Sequence, residues 1–88
     1  MGIKVIIYGK VQGVGFRNFV YRNAIKYNIK GYVKNNPDGT VEAVFEGEKE
    51  NIEKMIELCK KGPERARVDK IDIFEIEDKG YKDFKIVY

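Results

Sequence analysis

The fold is decided by the stretch Tyr8-Gly9-Lys10-Val11-Gln12-Gly13-Val14-Gly15-Phe16-Arg17, which joins an apolar strand to an amphipathic helix through a loop with three glycines. Glycine adopts positive φ and has no Cβ, so successive backbone N–H groups of such a loop can converge on one anion. The helix that follows adds free N–H groups and a partial positive charge. Arg17, in its first turn, adds a fork of donors that matches two phosphate oxygens. The stretch therefore predicts a phosphate site where the strand meets the helix.

Two plainer interpretations of this stretch stay open. The glycines can serve only to turn the chain, and Arg17 can be a surface ion-pair partner. The spacing also limits the ligand, because the stretch matches neither the Walker pattern nor Gly-x-Gly-x-x-Gly. Neither a nucleoside triphosphate nor a dinucleotide is indicated.

Apolar periodicity predicts five strands and two helices along the chain. Ile3, Val5 and Ile7 alternate in the first strand, and three- and four-residue steps from Phe16 to Tyr27 mark the first helix, which is predicted to end at Asn28. The remaining predicted elements are a strand over 29–35, a strand over 40–46, a helix from Gly47 to Gly62-Pro63 with Cys59 on its inner face, a strand over 68–76, and a short strand with Phe84, Ile86 and Tyr88.

The turn signal Asn36-Pro37-Asp38-Gly39 predicts a hairpin between the second and third strands. The order β-α-β-β-α-β, with a short extra C-terminal strand, is that of the ferredoxin-like α+β sandwich, in which two helices cover one face of an antiparallel sheet. The first strand is central in that arrangement, so the glycine loop is expected at one end of the sheet. The fold by itself does not indicate an activity.

Length and composition predict a single domain over residues 1–88, and a monomer is expected. A chain of 88 residues buries roughly 60–65% of its unfolded surface, which is enough for a core without disulfides. The single Cys59 and the lack of an apolar spanning run or signal segment indicate a cytoplasmic protein with no membrane partner. The charge of +3 is spread along the chain and suits a small anion better than nucleic acid. Abundant Lys and Glu favour a thermophilic source, although the asparagines indicate the opposite.

Missing residue types restrict the chemistry. The chain has no histidine and no serine, and its Cys and carboxylates show no metal-ligand spacing, so neither an imidazole base nor a metal or other cofactor is expected. Acyl phosphates fit these limits, because their carboxylate leaving group, with a pKa of about 4, departs without a proton. Catalysis then needs only positioning and electrostatic stabilisation of the phosphoryl group.

Asn35, at the end of the second strand, is the candidate for holding the attacking water. Its carboxamide oxygen can accept from water while its nitrogen donates to phosphate. The plainer alternative makes Asn35 a turn former, a role for which Asn36 competes.

Separated motifs in this sequence closely resemble those of the acylphosphatase family. The segment from Gly9 to Arg17 matches that family, as do Gly31-Tyr32-Val33-Lys34-Asn35 and Asp38-Gly39-Thr40-Val41-Glu42. The resemblance extends over Gly62-Pro63, Ala66-Arg67-Val68 and Phe84-Lys85-Ile86. Three positions depart from the family pattern, namely Tyr32, Glu64 and Val87, where tryptophan, proline and a basic residue are common.

The resemblance implies a hydrolase that needs no metal and no cofactor and converts an acyl phosphate and water to a carboxylate and orthophosphate. By matching position, Arg17 would bind the phosphate and Asn35 would orient the water. The backbone of the loop would form the phosphate cradle, through Gln12, Gly13, Val14, Gly15 and Phe16.

Two other functions are compatible with parts of this sequence. An RNA-binding module shares the order of elements, but its aromatic residues must lie on a central strand, whereas Phe16 and Phe19 show helical spacing. A regulatory or carbamoyl-phosphate-handling domain of a larger enzyme stays open as the second alternative.

Overall fold

The computed structural model describes residues 2–88. It contains five strands and two helices in the predicted order. The elements are β1 (Gly2–Lys10), α1 (Phe16–Lys26), β2 (Lys30–Asn35), β3 (Val41–Glu46), α2 (Lys49–Lys61), β4 (Arg67–Ile76) and β5 (Phe84–Val87). The predicted boundaries differ from these by one or two residues, and Asn28, predicted to end α1, adopts a φ of +54° just beyond it.

The five strands form one sheet in the order β4-β1-β3-β2-β5. β1 pairs antiparallel with both β3 and β4, which places it inside the sheet as predicted. β2 and β3 form the predicted antiparallel hairpin. The tight turn is closed by Asn36 N–H donating to the Thr40 carbonyl at 2.9 Å and by Gly39 N–H donating to the Asn36 carbonyl at 3.1 Å.

The prediction of a wholly antiparallel sheet is wrong at one edge, because β5 runs parallel to β2. The chain leaves β4 at the opposite edge and crosses to β2 before β5 begins. Glu46 holds this crossing, since its buried carboxylate accepts the backbone N–H groups of Lys79 at 2.5 Å and Tyr81 at 3.1 Å. Alternation along β3 puts Glu46 on the face opposite Val41, Ala43 and Phe45, where an acidic side chain is expected to be exposed to solvent. These two hydrogen bonds explain how its charge is buried instead.

Both helices pack on the same face of the sheet, and the core lies between the two layers. The inner residues of β1 (Ile3, Val5 and Ile7) are buried there, as predicted. The helices contribute their own buried faces: Phe16, Val20 and Ala24 from α1, and Ile52, Met55 and Cys59 from α2. No helix in residues 2–88 is long and apolar enough to cross a membrane.

Cys59 lies in this core, as its helical position predicted. Its side chain is fully buried and forms no disulfide. Burial raises the pKa of the Cys59 thiol to about 12, because the thiolate would lose its hydration there. The group is therefore a small apolar core residue at neutral pH.

Candidate active site

The loop between β1 and α1 takes its shape from two glycines in the left-handed region. Gly13 has a φ of +74° and Gly15 a φ of +79°. A Cβ added at either residue would meet nothing within 4 Å, so glycine is required here for backbone conformation and not for space. The open side of this loop leaves room for a ligand.

The start of α1 carries a positive potential that no side chain of residues 2–88 neutralises by capping. Gly15 is the N-cap residue, its position has no side-chain cap, and the first turn contains no acidic residue. The free N–H groups of the first turn and the helix dipole are therefore available to an anion.

Gln12 ties the loop to the hairpin turn. Its Nε2 donates to the backbone carbonyl of Asn36 at 2.7 Å and to that of Thr40 at 2.9 Å. The side chain therefore points away from any ligand in the loop, and it fixes the loop against the turn that follows Asn35.

Two apolar side chains anchor the loop from below. Val14 is 5% exposed and Phe16 is 2% exposed, and both belong to the core. Of the predicted phosphate-binding residues, these two and Gln12 thus direct their side chains into the protein. Their backbone, with Gly13 and Gly15, forms the wall of the loop.

A cavity of about 90 Å³ lies between the loop, the start of α1 and the end of β2. It has room for several water molecules, and so for the oxygens of a phosphoryl group. Arg17 and Asn35, predicted from separate motifs, share this cavity. Its lining residues are Val11, Gly13, Gly15, Phe16, Arg17, Asn18, Asn35 and Tyr88.

The Asn35 carboxamide has unused hydrogen-bonding capacity. Its Oδ1 is buried and has no hydrogen-bond partner among residues 2–88. A buried acceptor without a donor is uncommon and costs free energy. The side chain of Asn36 instead serves the turn, because its Nδ2 donates to Thr40 Oγ1 at 3.1 Å. The two neighbouring asparagines therefore have different environments.

Asp38 completes the turn beside the cavity. Its carboxylate accepts Thr40 Oγ1–H at 2.6 Å and Thr40 N–H at 3.0 Å. The two hydrogen bonds hold the pKa of Asp38 below its usual value, and the bond from the Thr40 hydroxyl has the larger effect. The carboxylate stays charged at neutral pH, and its acceptor capacity is directed into the turn.

Arg17 contacts an aromatic ring within the described chain and forms no ion pair there. Its Cζ lies 4.8 Å from the centre of the Tyr88 ring, and both residues line the cavity. The surface ion pair considered for Arg17 is therefore not formed. The guanidinium keeps its full charge and its N–H donors for a ligand.

Sequence reasoning missed Tyr88 as a site residue. The signal that could have found it is the direction of β5. Strands that run parallel end at the same edge of a sheet, so a parallel β5 brings the residue after Val87 beside the end of β2, where Asn35 lies. The antiparallel prediction removed that inference.

The structure offers the site no metal cluster within residues 2–88. No group of three or more His, Cys, Asp and Glu side chains there could hold a metal ion. The polar groups at the cavity are backbone amides, a guanidinium, two carboxamides and a phenol. This set of groups fits an oxyanion ligand.

Fold and cavity together define a class of protein: a ferredoxin-like α+β domain in which the first strand-to-helix loop borders a small cavity that Arg17 of α1 and Asn35 of β2 also line. The acylphosphatase family model matches residues 3–86. The chain belongs to the acylphosphatase family, and the predicted family and fold are confirmed.

Relatives of known name agree with this assignment. The chain is 43% identical over 86 residues to an acylphosphatase of Methanothrix thermoacetophila, covering 98% of this chain and 96% of the relative. It is 48% identical over 81 residues to the acylphosphatase of Thermococcus kodakarensis, covering 92% of this chain and 89% of that relative. These proteins are hydrolases, and they support acylphosphatase activity for this chain.

Solved structures show the same similarity. The crystal structure of the acylphosphatase from Bacillus subtilis superposes with a TM-score of 0.95 at 38% identity, covering 99% of this chain and 98% of that one. Full-length HypF, solved in a phosphate- and nucleotide-bound form, superposes with a TM-score of 0.93 at 45% identity. That match covers 99% of this chain and 12% of HypF, so the same fold also occurs as part of a much longer chain.

Proposed function

We propose that this acylphosphatase acts by direct attack of a positioned water molecule on phosphorus, without a metal ion, a cofactor or a covalent phosphoenzyme. The observation that carries the proposal is the meeting of the glycine loop, Arg17 and Asn35 at one cavity of about 90 Å³. The substrates are a small acyl phosphate and water, and the products are a carboxylate and orthophosphate.

Phosphate binding is assigned to the loop and to Arg17. Backbone N–H groups of residues 12–16 and the start of α1 would surround the phosphoryl oxygens, while the guanidinium pairs with two of them. Because neither the helix start nor Arg17 has an acidic partner in the described structure, this charge is not spent within the protein. It would stabilise the equatorial oxygens as negative charge shifts in the transition state.

Water positioning is assigned to Asn35. Its Oδ1 lacks a donor within residues 2–88, and an O–H group of water is a donor of suitable size. Holding the nucleophile in line with the scissile bond lowers the entropic part of the barrier. A neutral carboxamide does this without the repulsion that a carboxylate would add beside phosphate.

The step balances without a general acid. The water oxygen forms a bond to phosphorus, the bond from phosphorus to the acyl oxygen breaks, and its electron pair leaves with the carboxylate. A group with a pKa of about 4 needs no proton to depart. The proton released by water goes to orthophosphate or to solvent.

A covalent route has little support from the site. Of the side chains that line the cavity, the Tyr88 phenol alone is a possible nucleophile, and no carboxylate lines the cavity that could take its proton. Cys59 is buried in the core with a raised pKa. Direct hydrolysis is therefore favoured over a phosphoenzyme.

The position of Phe16 also argues against the RNA-binding alternative, because this residue lies on α1 and is buried. It cannot stack on a base. We further propose a cytoplasmic enzyme that works as a monomer, since the loop, Arg17 and Asn35 of a single chain already meet at the cavity and its single cysteine is a free thiol.

Hydrolysis of benzoyl phosphate in ¹⁸O-labelled water tests the mechanism. We expect the label in orthophosphate, because water attacks phosphorus, and no burst of benzoate in rapid-quench experiments. Label in benzoate would mean attack at the carbonyl, and a stoichiometric burst would reveal a phosphoenzyme. Activity should survive EDTA, whereas its loss would show that a metal takes part.

A substrate series tests the class of substrate. Acetyl phosphate, carbamoyl phosphate and 1,3-bisphosphoglycerate should be hydrolysed, and a phosphomonoester should not, since its alkoxide needs a proton to leave. A preference for carbamoyl phosphate alone would favour the specialised domain considered above.

A further inference from the structure

The ring beneath Arg17 has no assigned role in this reaction. The Arg17 Cζ lies 4.8 Å from the centroid of the Tyr88 ring, at the wall of the cavity. We infer that the Tyr88 ring is a positioning element that holds the Arg17 guanidinium for phosphate. This inference rests on the proposed phosphate-binding role of Arg17.

The fold brings the ring to this place through β5. Gly31 to Lys34 of β2 pair in register with Phe84 to Val87 of β5, so Tyr88 follows at the level where β2 ends. Phe84 fixes the strand, because it is buried and stacks on Phe45 with 6.2 Å between ring centroids. Tyr88 is thus delivered to the cavity by a strand anchored in the core.

An aromatic partner suits an arginine that must bind an anion. A carboxylate would hold the guanidinium, but it would also neutralise its charge and compete for its N–H donors. A ring attracts the cation through its face and takes no N–H donor. Arg17 has no acidic partner in the described chain, so this contact orients it while its donors stay free.

Exposure separates this role from a structural one. Tyr88 is 92% exposed, so its side chain contributes little to the core. Within residues 2–88 its phenol hydroxyl forms no hydrogen bond to the loop or to Asn35 that would explain its position, whereas its ring contacts Arg17. Loss of the ring should therefore change phosphate affinity and leave stability unchanged.

A substitution series at Tyr88 tests the inference through Ki for inorganic phosphate and through kcat and KM for benzoyl phosphate. We expect Tyr88→Phe to match the parent and Tyr88→Trp to bind phosphate equally or more tightly, because cation–π attraction is strongest for Trp. Tyr88→Leu should raise Ki and KM about two- to five-fold with kcat little changed. Tyr88→Glu should raise Ki more than about tenfold, since it pairs with Arg17 and repels phosphate.

Tyr27→Leu is the matched control. Tyr27 also carries cations at its ring, Lys26 and Lys54, but it lies just beyond the other end of α1. The Tyr27→Leu variant should leave Ki for inorganic phosphate unchanged. The inference is overturned if Tyr88→Leu binds phosphate as the parent does, if Tyr88→Phe is as impaired as Tyr88→Leu, or if Tyr88→Glu is no worse than Tyr88→Leu.

Arg17→Ala distinguishes this inference from the proposed function. If Arg17→Ala loses phosphate affinity and adding Tyr88→Leu causes no further loss, the ring acts through Arg17. If Arg17→Ala weakens phosphate while Tyr88→Leu does not, only the positioning role fails. If Arg17→Ala leaves phosphate affinity intact, the proposed role of Arg17 itself is wrong.

Discussion

Replacing Asn35 with alanine should separate activity from stability. The substitution removes a buried Oδ1 that has no hydrogen-bond partner within residues 2–88. Leaving such a group unpaired costs about 1–3 kcal/mol, and its removal recovers that free energy. The substitution also loses the packing of a few atoms, which offsets about 1 kcal/mol of the recovered free energy. The unfolding free energy should therefore stay equal or rise by up to about 2 kcal/mol.

Catalysis should move in the opposite direction. If the carboxamide positions water and donates to phosphate, its removal should lower kcat about 10²-fold or more, as the loss of one transition-state donor does elsewhere. KM should change less, because the loop and Arg17 still bind the phosphoryl group. A functional residue that costs stability is the pattern expected at an active site.

Asn36→Ala is the matched control, one residue further along the chain. Its Nδ2 donates to Thr40 Oγ1 at 3.1 Å, so its loss should cost about 0.5–1.5 kcal/mol and leave kcat nearly unchanged. Urea unfolding followed by circular dichroism and turnover of benzoyl phosphate measure both variants.

Two results would refute this reasoning. Full turnover by Asn35→Ala would remove the water-positioning role. Destabilisation of Asn35→Ala by more than about 1 kcal/mol would mean that the carboxamide is a structural group, and the turn-former interpretation would return.

Three further predictions concern the loop and the core. Gly13→Ala and Gly39→Ala both place a Cβ at positive φ with nothing within 4 Å, so each should lower the unfolding free energy by about 1–2 kcal/mol. Only Gly13→Ala should also raise Ki for phosphate, because Gly13 lines the cavity. Equal Ki values for the two variants would contradict the role of the loop in phosphate binding. Gln12→Glu should lower the urea midpoint more than Gln12→Ala. Both variants lose the donor to the Asn36 and Thr40 carbonyls, but only the carboxylate also places negative charge against these carbonyl oxygens. The reverse order would contradict the proposed role of Gln12 in fixing the loop to the turn. The Cys59 thiol, with its pKa raised to about 12 by burial, ionises near pH 8.5 once unfolded. The burial of the protonated thiol therefore contributes fully to the unfolding free energy below about pH 8.5, and this contribution should fall by about 1.4 kcal/mol per pH unit above it. Denaturant titrations from pH 8 to 10.5 should show this slope in the parent and not in Cys59→Ala.

Local sequence signals predicted most of the fold, because each is a short-range property. Alternation in β1 and the helical stripe of α1 report which side of an element is buried, and the turn signal before Gly39 reports a hairpin. The burial of Glu46 could not be seen this way. Its two N–H donors come from Lys79 and Tyr81, more than thirty residues away, and alternation alone makes it a surface residue.

The different environments of Asn35 and Asn36 also could not be predicted from the sequence. Both are short carboxamides before the same turn, and either can form it. What separates them is the pleat: successive residues at the end of a strand face opposite sides, so one lines the cavity and the other reaches Thr40. The resemblance to a family selected Asn35, whereas spacing alone favoured a turn role.

The error at β5 and the omission of Tyr88 have one physical cause. A strand of four residues, Phe84–Val87, carries too short a pattern to state its direction, which depends on the crossing held by Glu46 and on Phe84 packing against Phe45. Once that direction is known, the position of Tyr88 beside Asn35 follows from the parallel register. The proposed phosphate site therefore has two parts. Local motifs encode the loop and its arginine, whereas only the tertiary fold supplies the Tyr88 ring that contacts this arginine.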